Sequence, residues 1–167
     1  MRLAPERQAR WAAPNRAWFA DHAQTYGITL ATHDDTTAAH VDEAAGLGAT
    51  MSEFPTTLAA ARRARDLGLA TVAGAPNVVR GGSHSGNVSA LELAREGLLD
   101  ALSSDYVPSS LLQAAWMLMR EAHHSPSRAV ALVSSSPAWA CGLRDRGEIA
   151  LGQRADVIRV REAAGLP

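Results

Sequence analysis

The stretch Leu58-Ala-Ala-Ala-Arg-Arg-Ala-Arg-Asp-Leu-Gly-Leu-Ala-Thr-Val-Ala-Gly74 carries one complete structural unit. Leu58–Asp66 is Ala-rich with helical periodicity, and Gly68 follows it where a helix end favours a left-handed residue. Leu69–Ala73 is then a short apolar run of strand length. The pattern repeats on both sides. Apolar runs recur at Ile28–Thr32, Ala49–Ser52 and Leu98–Ser103, with Ala-rich stretches at Ala38–Ala45 and Ala90–Glu96 closed by Gly46 and Gly97. Ser89 with Glu92, and Ser110 with Gln113, have the spacing of capping boxes. Such strand–helix alternation predicts an α/β fold of parallel βα units joined by right-handed crossovers.

The flanks differ. Pro5–Tyr26 reads as a helix with Trp11, Trp18 and Ala20 at apolar positions, and Ser109–Ala122, Ser127–Val133 and Pro137–Gly142 read as further helices. Ala155–Val160 alternates like a strand, one whose partners must come from elsewhere. Composition narrows the function classes. The 167 residues, 47% hydrophobic and 20% charged, suffice for one domain with a real core. A net charge of −1 argues against a general nucleic-acid binder or a membrane-surface protein. All basic residues are arginine, which the base composition of the genome explains more simply than function does. The single Cys141 excludes an internal disulfide framework and a Cys-rich zinc site, and is expected as a small buried residue. With no membrane-length apolar run and no signal-like start, the expectation is a soluble, cytoplasmic protein.

Polar or small residues end the strands: His33, Glu53, Gly74 and Asp105, at intervals of 20, 21 and 31 residues. In parallel α/β folds ligands bind at the carboxyl ends of the strands. His33 suits a divalent metal, with Asp34 or Asp35 either orienting it or capping the next helix. Glu53 is equally a ligand for a hard ion or a hydrogen-bond partner of Thr56 or Thr57. The long last interval contains Gly74-Ala-Pro-Asn-Val-Val-Arg-Gly-Gly-Ser-His-Ser-Gly-Asn87, an enlarged βα loop. Arg80 can grip phosphate bidentately, Gly81 and Gly82 admit close backbone approach, and Ser83, Ser85 and Asn87 add donors. The helix expected to begin near Val88 would point its positive end at the same anion. His84 would protonate or simply bind a phosphate oxygen, while Asn77 either binds or sets the turn after Pro76. The plainer alternative is a structured surface loop. His40 lies two helical turns from His33, too far to share an ion, and His123-His124 is expected to be exposed at a helix end.

Four blocks carry a resemblance: Leu30-Ala-Thr-His-Asp-Asp-Thr36, Ser52-Glu-Phe-Pro-Thr-Thr57, Gly74–Asn87 and Leu102-Ser-Ser-Asp-Tyr106. They resemble the diphosphatases of the carbon–phosphorus lyase pathway, a branch of the amidohydrolase superfamily. The closing stretch, Leu143–Val157, is similar to the C-terminal signature of that superfamily, and the likeness runs from about Trp11 to Val160. The resemblance implies strands five to eight of a (β/α)8 TIM-type barrel over residues 1–150, with 151–167 a remnant of a small β-sandwich. The family's first-strand His-x-Asp or His-x-His pair has no counterpart here, so the chain is expected to be a C-terminal half, completed by a separate N-terminal half or a homo-oligomer. By the same resemblance His33, Glu53 and Asp105 would hold a divalent metal (Zn, Mn or Mg), and Asp105 would take the proton of the attacking water; its other reading is a helix N-cap, which Pro108 and Ser110/Gln113 already supply. The implied reaction is metal-dependent release of pyrophosphate from a ribose methylphosphonate triphosphate in phosphonate catabolism, with a phosphorylated sugar as partner. The alternatives are hydrolysis of a C–N bond and an inactive phosphate-binding fragment.

Overall fold

The computed structural model describes residues 3–83, 85–163 and 167. A long helix, α1 (Leu3–Thr25), leads into β1 (Ala31–His33), α2 (Ala38–Gly46), β2 (Met51–Glu53), α3 (Leu58–Asp66) and β3 (Ala70–Gly74). Then come α4 (Ala75–Arg80), α5 (Ala90–Arg95), β4 (Ala101–Ser103), α6 (Ser110–Glu121), α7 (Pro126–Ala131) and α8 (Ser135–Ala140). The four strands form one parallel sheet in the order β1-β2-β3-β4. Each strand is added on the same side as the last, so right-handed crossovers bring every connecting helix to one face. A doubly wound sheet reverses direction and covers both faces. The arrangement matches part of a (β/α)-barrel wall.

Burial agrees with a one-sided sheet. Ala73 and Leu102 join Leu93, Leu99, Leu118 and Leu132 in the main core. In the opposite register positions Met51, Ala70 and Val72 are only half-buried, whereas Ala101, the register partner of Val72, is buried. A smaller core gathers Val41, Ala60, Ala64 and Leu69 beneath α2 and α3. Asp35, only 3% exposed, ties the first two units together. Its carboxylate accepts the hydroxyls of Thr32 at 2.9 Å and Ser52 at 2.7 Å, and its carbonyl accepts the Thr56 N–H at 2.8 Å.

Several local expectations change. Neither Asp34 nor Asp35 caps α2: Thr37 does, through the His40 N–H, because the buried Asp35 carboxylate is already held by Thr32 and Ser52. Gly48 rather than Gly46 takes the left-handed turn after α2, while Gly68 and Gly97 do so as expected. Ser89 caps α5 through the Glu92 N–H. Ser110 is the first residue of α6 and donates to the Val107 carbonyl, so its box with Gln113 does not form. The enlarged Gly74–Asn87 segment is not all loop: Pro76 in the first turn and left-handed Gly81 at the end bracket α4. Residues 155–160 pair with no strand among the described residues, and Val157 and Ile158 stay exposed, since alternation without a ladder partner makes no sheet. Trp11 and Trp18 are half-exposed, Cys141 is exposed rather than buried, and His124 packs its Nε2 3.3 Å from the Ala94 carbonyl while His123 remains exposed.

Candidate active site

The strand ends share one backbone device. Asp34 follows β1 with φ 58°, Phe54 follows β2 with φ 52°, and Asp105 lies just past β4 with φ 49°. Left-handed backbone is costly for residues bearing a Cβ, most of all for a bulky one, and such strain concentrates at working sites. The kink comes where the ladder ends: the Asp34 N–H still donates to the Glu53 carbonyl at 3.0 Å, and the Phe54 N–H to Val72 at 2.8 Å. The third strand ends in Gly74, where a Cβ would lie 3.4 Å from Asp105 Oδ2 and 3.6 Å from Phe54 Cε1. Glycine leaves that space to the carboxylate and the ring.

Two groups of chemical side chains result. In the first, His33 and Glu53 are register partners whose side chains share a sheet face, with His33 Nε2 3.8 Å from Glu53 Oε2. Asp34 Oδ2 stands 3.3 Å from His33 Nδ1. The Thr56 and Thr57 hydroxyls bond to Asp35, Thr36 and Ala60 instead of Glu53, so Glu53 faces the imidazole and not the threonines. The second group lines a cavity of about 240 Å³ that brings Asp105 together with Asn77, Arg80, Ser83, Ser85 and Asn87, and Asp34 of the first group borders it too. Phe54 touches both groups: its ring meets His33 edge-on and also borders the cavity.

Not every predicted donor faces this cavity. The N–H groups of Gly81 and Gly82 both turn back to the Asn77 carbonyl, at 3.1 and 3.0 Å, because they close α4; neither is offered to an anion. Asn77 Oδ1 accepts the Ala90 N–H at 3.0 Å, and Ser89 takes that of Glu92, so two N–H groups at the start of α5 are already bonded within the chain. Arg80 donates to the Tyr106 hydroxyl and to the Gly82 carbonyl, each at 3.0 Å. His84 lies outside the described residues. Sequence reasoning missed Phe54 and Tyr106, although both sit inside the quoted blocks directly after Glu53 and Asp105.

The comparisons with known proteins bear on this geometry. The amidohydrolase family model matches residues 3–164. The chain belongs to the amidohydrolase family. It is also similar to the alpha-D-ribose 1-methylphosphonate 5-triphosphate diphosphatase of Escherichia coli (strain K12), 51% identical over 152 residues, covering 90% of this chain and 40% of that protein. The chain thus spans well under half the length of that curated relative. No solved structure matches it. Amidohydrolases generally work with divalent metals, and the strand-end donors meet that need only in part. His33 and Glu53 form a two-donor corner, whereas a catalytic zinc takes three protein ligands. No group of three or more His, Cys, Asp or Glu side chains converges among the described residues. No helix of the described residues is long and apolar enough to cross a membrane.

Proposed function

We propose that this chain supplies the anion-gripping wall of a diphosphohydrolase that releases pyrophosphate from alpha-D-ribose 1-methylphosphonate 5-triphosphate. The observation that carries the reading is the single cavity holding Asp105 beside Arg80, Ser83, Ser85 and Asn87. A carboxylate next to a guanidinium and several neutral donors suits a reaction in which a proton leaves water while negative charge grows on a departing phosphate. Arg80 gives planar, charge-assisted hydrogen bonds to phosphoryl oxygens, the two serines and Asn87 add neutral ones, and Asp105 accepts the proton of the attacking water. His84 is assigned the protonation or binding of the leaving oxygen. Glycines 81 and 82 shape the turn that carries these groups.

In this reading His33 and Glu53 are two ligands of a Zn, Mn or Mg ion, and further ligands belong to the length of the relative that this chain does not cover. When bound, such an ion lowers the pKa of a coordinated water towards neutrality. The four strands are assigned as strands five to eight of the barrel within residues 1–150, and 151–167 as a piece of the accompanying β-sandwich. The similarity to the Escherichia coli diphosphatase supports this assignment. Hydrolysis of C–N bonds, the alternative, has no need of the donors that Arg80, Ser83, Ser85 and Asn87 gather in this cavity.

The test joins this chain to the N-terminal part of the Escherichia coli relative and follows pyrophosphate release with Zn, Mn or Mg supplied. Release that is lost in Arg80→Ala and Asp105→Asn supports the reading. Hydrolysis of amides without pyrophosphate release overturns it.

A further inference from the structure

We infer that Tyr106 is a substrate-binding residue, donating its phenolic O–H to a phosphoryl oxygen while it holds Arg80 over the same anion. The inference rests on the diphosphohydrolase reading of the cavity and adds to it another residue that borders it. Arg80 ends α4, which packs against α6, and Tyr106 lies on the turn between β4 and α6. The bond from Arg80 Nη1 to the Tyr106 hydroxyl, at 3.0 Å, therefore joins the end of α4 to the β4–α6 connection that carries Asp105. Both side chains border the cavity that contains Asp105. Tyr106 follows directly on the left-handed Asp105, whose φ of 49° turns the chain there.

The chemistry follows from the direction of that hydrogen bond. A guanidinium can only donate, so the phenol oxygen is the acceptor and its own hydrogen points elsewhere. Tyr106 is 62% exposed, and nothing in the core requires its ring. A phenol whose oxygen already accepts from a cation is polarised to donate more strongly, and an anion seated against Arg80 lies within the same polar group. The pair is thus a two-point grip: charge from the guanidinium and a directed neutral donor from the phenol.

The test measures binding of inorganic pyrophosphate to the full 167-residue chain, comparing wild type, Tyr106→Phe, Arg80→Ala and the double variant by calorimetry, with circular dichroism to show that each is folded. Tyr106→Phe removes the oxygen and keeps the ring, and the expected result is binding weaker by about tenfold, the size of one hydrogen bond to a charged partner. A loss of several-fold must remain when Tyr106→Phe is made in the Arg80→Ala background. If the loss vanishes there, Tyr106 acts only through Arg80 and the donor assignment is overturned. If Tyr106→Phe binds like wild type while Arg80→Ala does not, the Tyr106 inference fails and the diphosphohydrolase reading stands. If the wild-type chain does not bind pyrophosphate at all, both fall.

Discussion

The imidazole of His33 and the ring of Phe54 meet edge-on, with centroids 5.3 Å apart and planes at 80°. This contact is reached through left-handed backbone at Phe54 (φ 52°), a conformation that a phenylalanine adopts only at a cost. Removing the side chain separates packing from strain. Phe54→Ala loses the ring and keeps the strained Cβ, whereas Phe54→Gly loses both. We expect the glycine variant to be the more stable of the two by about 1 kcal/mol in urea unfolding, the reverse of the usual order. An alanine variant as stable as the glycine one would show that the backbone there is relaxed.

Asp35 should behave as a structural knot. Its buried carboxylate is shared by hydroxyls from two neighbouring strands, Thr32 and Ser52. Asp35→Ala leaves both hydroxyls without their acceptor and should cost about 2–4 kcal/mol, while Ser52→Ala, which removes one arm, should cost about 1 kcal/mol. Chemical denaturation at neutral pH measures both. Equal losses would mean that the two arms are not shared in the way the geometry indicates.

Thr71 offers the opposite opportunity. It is fully buried in β3 and its Oγ1 has no hydrogen-bond partner, although its N–H donates to Asp100 at 2.9 Å. Thr71→Val keeps the shape, suits a strand and removes an unsatisfied hydroxyl, so it should stabilise the protein by about 1 kcal/mol. A fall in the denaturation midpoint would reveal a partner for that hydroxyl.

Gly147 is closely confined. Its φ is 99°, and a Cβ there would come within 2.6 Å of Ser135 Cα. Backbone on α8 cannot yield as a flexible side chain would, so Gly147→Ala should lift the segment around 143–152 away from α8. We expect protease cleavage within that segment to rise about 30-fold, corresponding to a local cost of about 2 kcal/mol, with little change in unfolding of the sheet. Unchanged cleavage would show that the segment is held by other contacts, such as the Arg154 N–H donating to the Asp145 carbonyl at 2.7 Å.

The hydrogen bond from Arg146 holds the Asp145 carboxyl below its ordinary value of 3.8. A carboxylate lowered in the folded state contributes stability above its unfolded pKa and loses it as pH falls through the folded one. Here the partners are adjacent in the chain and exposed, so the same pairing is available after unfolding. Asp145→Asn should therefore leave the urea midpoint unchanged at pH 7 and at pH 3. A midpoint lower than wild type at pH 7 that converges with it at pH 3 would mean that the pair forms only on folding.

Much of the scaffold was legible because its signals are periodic. Ala-rich helices, the glycines at 68 and 97, and the Ser89 cap appear where spacing and capping rules put them. The position of the enlarged segment after β3 followed from a single long interval. Its inner helix α4 was also readable in principle, since Pro76 and Gly81 bracket it as helix start and stop signals. The left-handed backbone at Phe54 was not, since a phenylalanine in that conformation leaves no compositional trace. A glycine pair such as Gly81 and Gly82 serves a helix end as readily as an anion, and only the directions of the N–H groups distinguish the two uses.

The three left-handed turns at residues 34, 54 and 105 also bear on how relatives of this chain can diverge. Each carries a backbone cost, largest at Phe54, that glycine would remove. A lineage pressed only to withstand heat should exchange these positions early, gaining robustness and blunting the strand-end groups as it does so. Retention of Asp, Phe and Asp there in a thermophilic homologue would mark chemistry strong enough to resist that drift.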